Sequence, residues 1–171
     1  MSVHQYIYDK VVGLVELYGT RDPRRLANDC DIHLYCEPLG NLSGFFAVVA
    51  GRRCLFYNQS LDEITAREVI AHELAHALLH QDDMANFDRI RECTLLKATT
   101  ITEQEANIFA AELLLADEEV LDLLSYYTDE QMAKSLGCNL ELLLYKLQSL
   151  NVRQDLHLQL RYPPKSDYLA R

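Results

Sequence analysis

The chain reads as an α+β fold, rich in helix, with a small antiparallel sheet placed before the helix that carries His72-Glu73-Leu74-Ala75-His76. Three observations predict it. Apolar residues recur at helical spacing at the N-terminus, three short β-prone runs broken by Pro38, Gly40 and Gly51 follow, and helical patterns then continue to about residue 150. A chain of 171 residues with 49% apolar content can bury the core of one domain of ordinary size.

Val3, Ile7, Val11, Leu14, Val15 and Tyr18 define the first helix, which stops at Gly19, and Asp22-Pro23 has the form of a second, short helix start. Ile32 to Cys36, Phe45 to Val49 and Cys54 to Tyr57 are the three strands. Ser60-Leu61-Asp62-Glu63 reads as a capping box, and Ile64, Ile70, Ala71, Leu74, Leu78 and Leu79 carry a helix through to His80. Gln81 to Thr99 is the least patterned connection and is expected to form a mobile cover over a cleft. Glu103 to Leu114 is a further helix, rich in alanine, leucine and glutamate. Thr128-Asp129-Glu130-Gln131 caps another, and Met132 to Leu140 followed by Leu142, Leu143, Tyr145, Leu147 and Leu150 has the form of a helix-turn-helix. Leu156 to Arg171, with Pro163-Pro164 and mixed charges, is expected to be an extended arm along the surface or disordered.

His72-Glu73-Leu74-Ala75-His76 carries the chemistry. A helix advances about 1.5 Å and turns about 100° per residue, so two histidines four apart present their imidazoles to one ion. Glu73 then stands beside the metal, where it can take a proton from an activated water and deliver it to a leaving amine. The motif lies mid-helix among apolar residues, a costly place for polar groups without a partner. His80, about 12 Å along the axis from His72, is out of reach of the same ion and reads as structural or as an outer partner. A catalytic zinc needs a third protein ligand, and Glu103, Glu105 and Glu112 are the candidates. Thr100 with Glu103 and Thr102 with Glu105 both fit a capping box, so capping does not separate them. Glu105 has Ile108 and Phe109 on its own helix face, whereas Glu103 has Ala106 and Asn107, which makes Glu105 the carboxylate more in need of a partner.

With the helix Val69 to His80 and the later segment Glu105-Ala106-Asn107-Ile108-Phe109-Ala110-Ala111-Glu112-Leu113-Leu114, the chain resembles the ImmA/IrrE family of metallo-endopeptidases. The resemblance runs from the first strands to the helices near residue 150. It implies a zincin-like metallopeptidase domain that binds Zn2+ through His72, His76 and a glutamate at the family position, Glu105, ahead of Glu103 and then Glu112. Glu73 would be the catalytic residue. It also implies a protein substrate, a transcriptional repressor whose cleavage relieves repression of a mobile element or a stress response. One departure is the absence of the Met-Pro or Leu-Pro pair that often ends the second segment, since Ala116-Asp117 follows Leu114-Leu115 here. In the peptidases it resembles, an edge strand beside the metal helix holds the substrate as an added strand, a role one of the three strand runs can fill as readily as a plain core role. The expected division is a metallopeptidase domain at 1–127, a helix-turn-helix-like segment packed on it at 128–150, and a tail at 151–171.

Composition bounds the alternatives. No apolar run approaches twenty residues and no secretory signal opens the chain, so a cytoplasmic protein without a membrane span is expected. Five cysteines without a Cys-x-x-Cys pair fit reduced thiols. A net charge of −10, with Lys146 the one cation of the second helix of the pair, disfavours DNA binding. The rival reading is a helix-turn-helix regulator or protein-binding module with a non-catalytic zinc site. Against it stand the intact Glu73 and the lack of the four ligands that close a structural zinc site. Asp82, Asp83 and Glu112 are candidate outer partners for a metal-bound imidazole, and Tyr57 and Tyr126 are candidates for an oxyanion stabiliser that spacing alone does not place near the metal.

Overall fold

The computed structural model describes residues 1–80, 100–158, 160, 164, 165, 168 and 169. The predicted cover, Gln81 to Thr99, with Cys93, Asp82 and Asp83, lies outside the described residues. Among the described residues there are helices α1 (Val3–Tyr18), α2 (Pro23–Asp29), α3 (Glu63–Leu79), α4 (Thr100–Leu114), α5 (Asp117–Leu123), α6 (Asp129–Leu136) and α7 (Leu140–Gln154), with strands β1 (His33–Glu37), β2 (Gly44–Val49) and β3 (Arg52–Asn58) between α2 and α3. This is the predicted α+β order.

α1 starts where Ser2 accepts from the Gln5 amide and ends at Gly19, whose left-handed backbone lets its N–H reach the Val15 carbonyl. Asp22 caps α2 directly before Pro23. The sheet is mixed and not wholly antiparallel, in the order β1-β3-β2. β2 and β3 form the expected hairpin, Val49 facing Arg52 across a turn in which Ala50 and Gly51 both take positive φ, the twist that two-residue hairpins favour. β1, however, runs parallel to β3, because the connection from Pro38 to Ser43 carries β2 past the position that β3 then fills. Apolar patterning sets which face of a strand is buried and says nothing of which neighbour it pairs with.

The first cap of α3 is Asp62 and not Ser60. The Asp62 carboxylate accepts from the Thr65 amide at 3.0 Å and from its hydroxyl at 2.8 Å, whereas Ser60 turns back to Asn58 Oδ1. α3 is buried on several sides, with Glu68, Val69, Ile70, Ala71, His72, Glu73, Leu74, Ala75 and Ala77 all withdrawn from solvent. It packs between the sheet and α4, and α4 packs in turn against α1 and α7. Phe46 and Leu55 close the core on the sheet side, and Phe109, Leu113, Leu142, Leu143 and Leu150 on the helical side.

In place of the missing proline pair after α4, Ala116 stands at the N-cap of α5, whose Asp117 turns into the core. There Lys146 Nζ donates to Glu112 Oε2 at 2.5 Å and Asp117 Oδ1 at 2.6 Å, and Arg153 donates to both carboxylates. These two cations join α4, α5 and α7. Thr128 and Gln131 form the predicted capping box of α6. The turn into α7 is fastened to α3, since Asn139 donates to the buried Glu68 carboxylate from its backbone N–H at 2.7 Å and its side chain at 2.9 Å. The described part of the tail lies against α3 and α7. Tyr168 donates to Glu68 at 3.0 Å, the Lys165 carbonyl accepts from Tyr145, and Leu169 is buried. Among the described residues Cys30, Cys36, Cys54 and Cys138 are free thiols.

Candidate metal centre

α3 and α4 bring three donor side chains to one point. His72 and His76 lie one turn apart on α3, and their Nε2 atoms are 3.1 Å apart. Glu103, from the first turn of α4, places Oε2 3.2 Å from His72 Nε2 and Oε1 3.3 Å from His76 Nε2. A tetrahedral ion with bonds of 2.0–2.1 Å separates its ligand atoms by about 3.4 Å, so these three spacings are close to the edges of a zinc-sized tetrahedron. His72 is 1% exposed, and its Nδ1 lies 2.9 Å from Asn107 Oδ1. With Nδ1–H donating to that oxygen, Nε2 of the neutral ring carries a lone pair that points at the cluster. Glu103 Oε2 is buried and takes no well-directed hydrogen bond. Imidazole lone pairs facing a carboxylate are mutually repulsive acceptors unless a proton or a cation lies between them, and a divalent cation satisfies all three at once.

The electrostatics follow from this enclosure. Burial pushes the Glu103 carboxyl up, but His72 and His76, when their rings carry a proton towards it, hold it well below the usual carboxylate range by hydrogen bonding and charge. Glu73 behaves in the opposite sense. Burial first, with the nearby Glu103 charge adding to it, pushes Glu73 up to about 7 against the pull of His76 and the Phe46 backbone N–H.

The structure places His72, His76 and Glu73 together, and it brings Glu103, not Glu105, within reach of the two imidazoles. Glu103 and Asn107, four residues apart, share the α4 face that meets α3, and Glu105 is displaced about 200° around the helix from Glu103. Glu105 pairs instead with His80, Oε2 to Nε2 at 3.5 Å, and the His80 ring stacks at a tilt on that of His76, 5.7 Å away. The apolar neighbours that single out Glu105 in the sequence, Ile108 and Phe109, pack into the core on their own account. The small Ala106 and the amide of Asn107 mark the face with room for two imidazoles. Asn107 is the site residue that sequence reasoning misses, and its signal is the four-residue spacing from Glu103.

Glu112 is excluded from the centre by its own partners, Lys146, Ser149 and Arg153. Tyr126 is 81% exposed, and Tyr57 packs its ring beneath Arg24.

A family model described as the IrrE N-terminal-like domain, peptidase M78, matches residues 27–148, which include His72, Glu73, His76 and Glu103. The chain is similar to the uncharacterized immunity region protein 2 of Bacillus phage phi105, at 34% identity over 105 residues, 61% of this chain and 65% of the phage protein's length. It is also similar to the metallopeptidase ImmA of Bacillus subtilis strain 168, at 26% identity over 149 residues, 84% of this chain and 85% of that protein.

Proposed function

The chain belongs to the IrrE N-terminal-like family of peptidases, and from that premise we propose that it is a cytoplasmic zinc-dependent endopeptidase that cleaves a transcriptional repressor and so relieves repression. The observation that carries the enzymatic part is the convergence of His72, His76 and Glu103 at tetrahedral spacing, with Glu73, next to His72 in sequence, near enough to feel the charges of His76 and Glu103. Two imidazoles and one carboxylate are a catalytic zinc set, with a position left for water. Bound there, the ion supplies Lewis acidity to the attacked carbonyl and to the water.

The chain's own residues do the rest. Asn107 fixes the His72 tautomer and ring plane. Glu73 takes the proton of the attacking water on its carboxylate and hands it to the amine released when the C–N bond breaks. Among the described residues β2 is an edge strand beside α3, so an extended substrate segment can add to its open side and lie across Glu73. The repressor as substrate rests on the family resemblance. The phage relative's name, which refers to an immunity region, is in keeping with it.

The regulator reading is weakened by α7. Leu142 to Leu147, Ser149 and Leu150 are buried, and Lys146 is spent on Glu112 and Asp117, so the helix that would enter a DNA groove offers it little free surface and no free cation there. The test is incubation of the zinc-loaded protein with candidate repressors, read by mass spectrometry. One defined cut, abolished by a chelator and restored by zinc, is expected. Repressors left intact while unrelated unfolded peptides are cut would overturn the substrate, and failure on every peptide would overturn the enzyme.

A further inference from the structure

We infer that Gly44 and the Phe46 backbone N–H together seat the Glu73 carboxylate, which makes Gly44 a positioning residue for hydrolysis; its catalytic meaning rests on the function proposed above. Gly44 opens β2, and its φ is not positive, so the backbone conformation does not call for glycine. Space does. A Cβ at this position would stand 2.6 Å from Val69 Cγ1, 2.9 Å from the Phe56 carbonyl oxygen and 3.4 Å from Glu73 Cγ. Val69 is buried, β-branched and stiff, and the Phe56 oxygen is backbone, so neither can step aside cheaply. The missing side chain is what lets β2 lie directly on the turn of α3 that carries Val69 and Glu73, residues four apart on one helix face.

The register then explains the donor. The Ser43 carbonyl accepts from the Asn58 amide at 2.8 Å, so Ser43 is turned toward β3. Alternation along an antiparallel strand turns Phe45 and Ala47 the same way and leaves the N–H and C=O groups of Gly44, Phe46 and Val48 on the open edge. The Phe46 N–H is thus on the edge beside Glu73, whose Cγ a Cβ at Gly44 would touch, and hydrogen bonding from that N–H is among the influences that lower the Glu73 carboxyl. The strand edge that faces the substrate thus spends one of its donors on the base. A side chain at residue 44 would lift β2 off α3 and take that donor away.

Amide hydrogen exchange of the zinc-loaded protein tests the seat without reference to turnover. Phe46, although on an open edge, is expected to exchange slowly, and at least about tenfold faster in Glu73→Ala and in Gly44→Ala, as loss of a charge-assisted hydrogen bond implies. Kinetically, Gly44→Ala is expected to lower kcat about 100-fold with KM changed less than about threefold and zinc retained, because misplacement of a reacting group by about 1 Å costs that much. If Gly44→Ala alone does not fold, Gly44→Ala with Val69→Ala removes the side-chain clash, and the Glu73→Ala exchange rate decides independently. Phe46 exchange indifferent to Glu73→Ala, or a Gly44→Ala enzyme with unchanged kcat, would overturn the inference. A wild-type protein without peptidase activity would contradict the function and leave the exchange result to judge the seat.

Discussion

Glu73→Gln is expected to keep its zinc and its fold while cleaving substrate at least about 100-fold more slowly than the parent protein. The amide matches the carboxylate in shape and still accepts from the Phe46 N–H, so β2 and α3 stay where they are. It cannot take up a proton. Loss of activity with unchanged metal content and melting temperature separates the base from the ligands. Cleavage at the parental rate would remove Glu73 from the mechanism, whatever the metal does.

The second large effect is on stability. Lys146→Met leaves Glu112 and Asp117 with Arg153 as their remaining cation, although Glu112 is completely buried and Asp117 nearly so. Breaking a buried ion pair from one side costs about 3–5 kcal/mol, because the abandoned charge cannot reach water. That is a large share of the roughly 5–15 kcal/mol that holds a domain together. The variant is expected to unfold at markedly lower urea concentration, and Lys146→Met with Glu112→Leu to recover part of the loss, since the pair then leaves together. A single variant as stable as the parent would show that the cluster carries little net energy.

Local signals were legible wherever the chain's own chemistry determines the outcome. Gly19 after an apolar helical stripe, Asp22 before Pro23, and Thr128 with Gln131 each act through neighbours a few residues away, and each ends or begins its helix as expected. The two histidines of α3 were legible for the same reason, because helical geometry alone places them together. Features set by distant parts of the chain were not. The placement of β3 between β1 and β2 depends on how a connection crosses the sheet. Which glutamate faces the two histidines depends on the rotation of α4 about its axis against α3, which neither capping patterns nor apolar neighbours determine. Lys146 reads in the sequence as the one cation of its helix, and only packing reveals that it meets Asp117, far from it along the chain.

Metal content of paired glutamate variants measures the central claim most directly. Elemental analysis of the purified protein is expected to find about one zinc per chain in the parent and in Glu105→Ala, and little in Glu103→Ala, because removal of Glu103 leaves two imidazoles to hold the ion. Full zinc occupancy in Glu103→Ala, or its loss in Glu105→Ala alone, would contradict the His72, His76 and Glu103 centre.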